Sequence, residues 1–242
     1  MARVIPLHEL PVLGKDSNLH QPTHFSEGTI LLIDKPRDWT SFDVVGFVRN
    51  RIKTKTGHAG TLDPLATGLL VLCTGKATKS ISLIQNLKKT YEATIAFGSS
   101  TPSFDAATEP DKFSDWLHIT ENDIREQLEN NFSGTIQQTP PLFSALKVDG
   151  QRLYKKARRG EKVKIDSRPV TIYNWEIIAF KRNMLTLIIE CGKGTYIRSM
   201  AHDLGLALES RAHLSELRRT KIGHFSVDDA MTPDEFDKRI VQ

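Results

Sequence analysis

A single carboxylate sits in a strongly constrained stretch of this chain. Gly57-His58-Ala59-Gly60-Thr61-Leu62-Asp63-Pro64-Leu65-Ala66-Thr67-Gly68 sets three glycines, one proline and Asp63 between two apolar segments. Glycine admits backbone conformations that other residues avoid, and proline fixes φ while removing a donor. A loop of that make-up holds one acidic side chain at a defined place against a ligand. An ionised carboxylate so placed can attack as a nucleophile or take a proton. Taken alone, Asp-Pro also reads as plain turn chemistry.

Further blocks punctuate the rest of the chain: Asp34-Lys35-Pro36, Lys89-Thr90-Tyr91, Pro140-Pro141-Leu142-Phe143-Ser144-Ala145-Leu146-Lys147, Gly192-Lys193-Gly194-Thr195-Tyr196-Ile197-Arg198 and Leu217-Arg218-Arg219. With the Asp63 loop they resemble, in the same order, the motifs of the TruB family of tRNA pseudouridine synthases, from Gly28 to about Phe225. The resemblance implies an isomerase that flips out the T-loop uridine of tRNA and rejoins it to the sugar through C5, with no cofactor. It implies Asp63 as the catalytic carboxylate and Arg198 as the guanidinium that keeps it charged and oriented. Tyr91 is expected to stack on the target base and help at C5, Tyr196 and Leu217 to line its pocket, and Lys35 and Pro36 to belong to the substrate site. His58 is expected to wedge into the T-loop. Extruding a base costs roughly a few kcal/mol, which stacking in the pocket must offset.

Charge points the same way. The chain is basic, with a net charge of +4 over 242 residues, a weak preference for a polyanionic partner. Residues 147–168 hold nine of the Lys and Arg and only three carboxylates, with Leu153 and Tyr154 among them. A charge run often marks no more than a solvated face. The family resemblance implies an inserted RNA-gripping lobe here, at about residues 120–168, so Lys147, Arg152, Lys155, Lys156, Arg158 and Arg159 are expected on phosphates, with Arg218 and Arg219 extending the track. The implied partner is the T-arm stem-loop of tRNA, bound by a monomer without a protein partner.

Cys73 and Cys191 each fall in an apolar run, which suits two buried thiols and a reducing, cytoplasmic setting. Without a CxxC they form no structural zinc motif, and no metal is expected. No apolar run approaches a membrane span, so no membrane partner is expected. Gly75-Lys76 lacks the spacing of a phosphate loop, since Leu70 stands where its first glycine belongs.

These residues need a scaffold. Residues 29–34 and 69–73 read as buried strands, and residues from Ser41 as a helix with Val44, Val45, Phe47, Val48 and Ile52 on one face. A second helix is expected from Gly75 to about Leu87. Residues 89–97 alternate at strand period, placing Tyr91 on a face with Ala93, Ile95 and Phe97. Residues 98–119 read as loop. A helix follows Thr120, with Ile124 and Leu128 on its stripe. Residues 132–148 read as short strands and 150–159 as a basic helix. Residues 170–180 and 184–191 form a hairpin, and Gly192 to Thr195 lead into a helix with Tyr196 and Arg198 near its start. Residues 212–222 read as a strand pair or edge, before a last short helix from Thr232.

The expected fold is therefore α+β, a mixed, largely antiparallel central sheet flanked by helices. Residues 1–27 read as an extended arm and 28–242 as the catalytic domain, without the PUA domain of longer family members. Two other function classes fit parts of the pattern. An RNA-binding module or tRNA chaperone would use the basic stretch and leave Asp63 and Arg198 idle. A glycosidase or base-excising glycosylase could use Asp63; a glycosidase would need a second, opposed carboxylate, and no other acid sits in a comparably constrained loop.

Overall fold

The computed structural model describes residues 4–17, 23–144, 147–148, 151–152, 163 and 165–240. Two compact units divide the chain: Met1–Tyr91 with Leu217–Gln242, and Glu92–Glu216.

In the first unit the apolar runs become strands because both of their faces find cover. Ile30–Lys35 and Thr67–Thr74 pair antiparallel, Ile33 opposite Leu70 and Lys35 opposite Gly68. Alternate residues feed two cores. Ile30, Leu32, Leu69, Val71 and Cys73 pack on one side with Ile222 and Phe225. Leu31, Ile33, Leu70 and Leu72 pack on the other with Val44, Val48 and Phe236. A strand buried on both faces is apolar throughout, which is why no alternation shows in its sequence. Thr56–His58 pairs antiparallel with Thr67–Thr74, and Arg218 and Arg219 pair parallel with Thr67 and Gly68. Ala212–Ile222 is one continuous strand that stands inside the sheet order with a strand on each side, not the strand pair or edge expected from its sequence.

The helix Ser41–Ile52 begins at a capping box. Thr40 caps the Asp43 amide, and the Asp43 carboxylate accepts from the Thr40 amide, satisfying two donors that a helix start leaves open. The expected helix from Gly75 starts as a 3-10 stretch, Gly75–Ser80, before the short α-helix Ile81–Gln85. The N-terminal segment is less arm-like than its composition suggests. Val12–Leu13 pairs parallel with Ile30 and Leu31, and Leu10 is buried.

In the second unit, Met184–Cys191 lies between residues 92–97 and the long strand Arg168–Lys181. The hairpin turns through Arg182 at φ 54°. Gly134–Gln138 pairs antiparallel with residues 168–172, so this part of the expected lobe is a sheet strand. Ser99–Ser100 and Lys112–Phe113 pair within the stretch read as loop. Gln151–Arg152 pairs with Lys147–Val148 as a strand, where a basic helix was expected. Lys155, Lys156, Arg158 and Arg159 lie outside the described residues. Among the described pairings the antiparallel ones predominate, and the fold is α+β with a mixed sheet.

Candidate active site

The Asp63 loop is fastened to its own unit at several points, and each tie has a physical cause. Ser41, buried at the first position of its helix, accepts from the Leu62 amide at 2.8 Å and donates to the Leu62 carbonyl at 3.1 Å. One hydroxyl thereby serves both polar groups of a buried residue. The Asp38 amide and the Lys35 ammonium both donate to the Pro64 carbonyl, at 2.9 and 3.1 Å. The Ala66 amide closes a turn onto the Asp63 carbonyl at 3.1 Å.

Lys35 is wholly buried at the end of its strand. Its ammonium donates to the carbonyls of Trp39 at 2.7 Å, Pro36 at 2.9 Å and Pro64 at 3.1 Å, one acceptor for each of its three protons. Burial lowers its pKa to about 8, and the nearby charges of Asp63 and Asp38 only partly offset that. The sequence suggests a residue of the substrate site; in the fold it anchors the loop that carries Asp63. Pro36 beside it is half-buried.

Arg219 departs furthest from expectation. Read as a phosphate contact, it is buried to 1% exposure. Its Nε donates to the Leu69 carbonyl at 2.8 Å and its Nη2 to the Gly60 carbonyl at 3.0 Å. The cause is register. Arg219 pairs with Gly68, whose φ of +99° and missing side chain leave room, for a Cβ there would lie 2.3 Å from the Arg219 carbonyl oxygen. Its neighbour Arg218 is half-buried and meets Asp34 with both ends of its fork, at 3.0 and 2.6 Å.

His58 is half-buried on Thr56–His58, opposite Leu72. Burial and the Arg219 charge push its pKa down, so the ring is neutral at neutral pH. The Phe42 ring meets it edge to face, centroids 5.3 Å apart. Tyr91 is buried in the strand Lys89–Phe97 together with Ala93, Ile95 and Phe97, as its alternation requires. Leu217 is half-buried.

The second unit holds Arg198 and Tyr196. Arg198, 3% exposed, lies in the first turn of the helix Ile197–Ala207. It donates to the carbonyls of Ser103 and Phe143, both at 3.0 Å, and its Nε stands 3.6 Å from the Asp105 carboxylate. Asp105 is itself held by the Ser103 hydroxyl at 2.6 Å and the Ala107 amide at 3.0 Å. Charged and neutral partners together make a buried guanidinium tolerable. Tyr196 caps the same helix. Its amide donates to the Gln138 side chain at 2.8 Å, whose amide returns a bond to the Tyr196 carbonyl at 3.0 Å. The Arg168 guanidinium lies 5.2 Å from the centre of its ring.

Sequence reasoning missed Ser41, Gln138 and the loop-holding role of Arg219, since nothing local marks a side chain whose partner lies tens of residues away. Among the described residues no group of His, Cys, Asp or Glu is placed to hold a metal, and no helix is long and apolar enough to cross a membrane. Burial pushes the Cys73 thiol up to about 12, an inert core group.

Comparison with known proteins decides the family. The model of the TruB family pseudouridylate synthase N-terminal domain matches residues 49–197. This chain belongs to the TruB family. The model of the tRNA pseudouridylate synthase B C-terminal domain matches residues 198–241. TruB relatives include the tRNA pseudouridine synthase B of Flavobacterium johnsoniae, 47% identical over 227 residues, covering 90% of this chain and 99% of that one. The enzyme of the same name from Parabacteroides distasonis is 46% identical, covering 90% and 95%. Among solved structures, a chain of a Cbf5-Nop10-Gar1 complex is 28% identical with a TM-score of 0.67, covering 96% of this chain and 58% of that one. A chain of an H/ACA RNP bound to a substrate RNA containing 2'-deoxyuridine is 26% identical with a TM-score of 0.64, and this TruB chain spans 59% of its length.

Proposed function

We propose that this protein isomerises the T-loop uridine of tRNA to pseudouridine, with Asp63 acting at the sugar of the flipped nucleotide. The observation that carries this reading is the Asp63 loop, held at Gly60, Leu62 and Pro64 by Arg219, Ser41 and Lys35. A carboxylate so held spends little energy on reorganisation when the nucleotide arrives. Its relatives' shared name, tRNA pseudouridine synthase B, supports tRNA as the substrate.

The chemistry balances without a redox partner. The C1′–N1 bond breaks, the base turns, C1′ bonds to C5, and the proton leaving C5 is matched by one gained at N1. In this reading Arg198 pairs with Asp63 and orients it, Tyr91 stacks on the detached base, and Tyr196 and Leu217 wall the pocket. His58 enters the space vacated in the T-loop. Lys147, Arg152 and the cations up to Arg159 grip phosphates together with Arg218, so affinity falls with salt. The protein acts as a monomer in the cytoplasm, and the reaction calls for no cofactor.

The test is positional. Unmodified T-arm stem-loop RNA is incubated with the protein, labelled with a pseudouridine-selective reagent and mapped by primer extension. The reading expects one stop, at the T-loop uridine. RNA bound without any stop would favour a chaperone.

A further inference from the structure

Phe42 stands 62% exposed in the first turn of the helix Ser41–Ile52. One large apolar side chain in water is ordinary by itself. Its position is not. Ser41, the residue before it, exchanges two hydrogen bonds with Leu62, the residue before Asp63, so this turn and the Asp63 loop are tied together. The Thr40–Asp43 capping box fixes the same turn from its other side. The Phe42 ring also stands against the His58 ring at 85°, with centroids 5.3 Å apart. Two aromatic rings therefore sit side by side on elements bolted to the loop that carries the carboxylate.

We propose that Phe42 is a nucleobase-stacking residue, which with the His58 ring receives an unstacked base of the substrate RNA next to the Asp63 loop. The inference rests on the reading of this site as one that acts on RNA. Loop bases drawn out of a stack expose their π faces, and aromatic side chains receive them without reading sequence. A phenyl ring carries no proton to transfer and no charge for a phosphate, so binding is the part of the reaction it can serve. Solvent exposure of the ring costs little stability to change, which keeps the site open to substitution.

The experiment measures retention of unmodified T-arm stem-loop RNA on filters, and turnover at saturating RNA, for the full chain and three variants. Phe42→Ala is expected to weaken binding about tenfold, with the melting temperature and the turnover at saturation unchanged. Phe42→Tyr keeps the π face and is expected to bind within about twofold of wild type. Phe42→Leu keeps the apolar bulk and is expected to bind as weakly as alanine. Wild-type affinity in the alanine or the leucine variant overturns the inference. A wild type that binds this RNA without forming pseudouridine would contradict the proposed function, and the ranking of the Phe42 variants in binding would still decide this point.

Discussion

The ammonium of Lys35 lies 3.1 Å from the carbonyl oxygen of Pro64, so a fully buried cation is fastened to the residue that follows Asp63. The contact couples the end of one core strand to the position of the carboxylate. The cation also bonds the Pro36 and Trp39 carbonyls, so its removal leaves three buried acceptors without this donor.

Lys35 therefore has a measurable pH signature. Burial lowers its pKa from 10.5 to about 8 in the fold. Between those two values the unfolded chain holds the proton more often than the folded one. The stability owed to this group accordingly rises with pH across that window and is least below it. Carbon-13 labelling of the lysine ε-methylenes is expected to show one resonance titrating near pH 8, missing from Lys35→Met. Lysines that all titrate near 10.5 would contradict the buried ammonium.

Arg219 is expected to act on the loop and not on phosphate. Arg219→Lys retains the charge but cannot reach the Leu69 and Gly60 carbonyls with one rigid fork. A loss of about 1–3 kcal/mol in stability is expected, with slower turnover. The slope of log affinity against log salt should stay as in wild type, because a buried guanidinium releases no counterion. A shallower slope would return Arg219 to the RNA-binding surface.

How much of this was readable in the chain differs from element to element. The helix from Ser41 and the strand through Leu70 are local: an apolar face at helical spacing and an apolar run declare them. The Asp63 loop is declared by its glycines and proline. Arg219 is not, because Leu217-Arg218-Arg219 has the composition of a surface track. Only the parallel pairing with Thr67 and Gly68, some 150 residues away in sequence, turns the second arginine inward. Likewise Lys35 reads as a substrate-site residue in the sequence, and only the strand register shows it buried opposite Gly68. Long-range pairing decides both, and no local period encodes it.

In the second unit, Asp105 is expected to govern Arg198. Asp105→Ala removes the carboxylate 3.6 Å from the Arg198 Nε and leaves that buried charge undercompensated. Breaking a buried pair from one side costs about 3–5 kcal/mol, read as a lower urea midpoint at an unchanged slope. A midpoint equal to wild type would show that the other partners of Arg198 hold it without Asp105.

In the proposed reaction Asp63 performs the chemistry on a platform that binds RNA without it. The most direct measurement compares wild type with Asp63→Asn on unmodified T-arm stem-loop RNA, following pseudouridine by selective chemical labelling and binding by filter retention. Wild type is expected to form pseudouridine and the variant none, with equal RNA binding by both. Pseudouridine formed by the variant at the wild-type rate would contradict that role of Asp63.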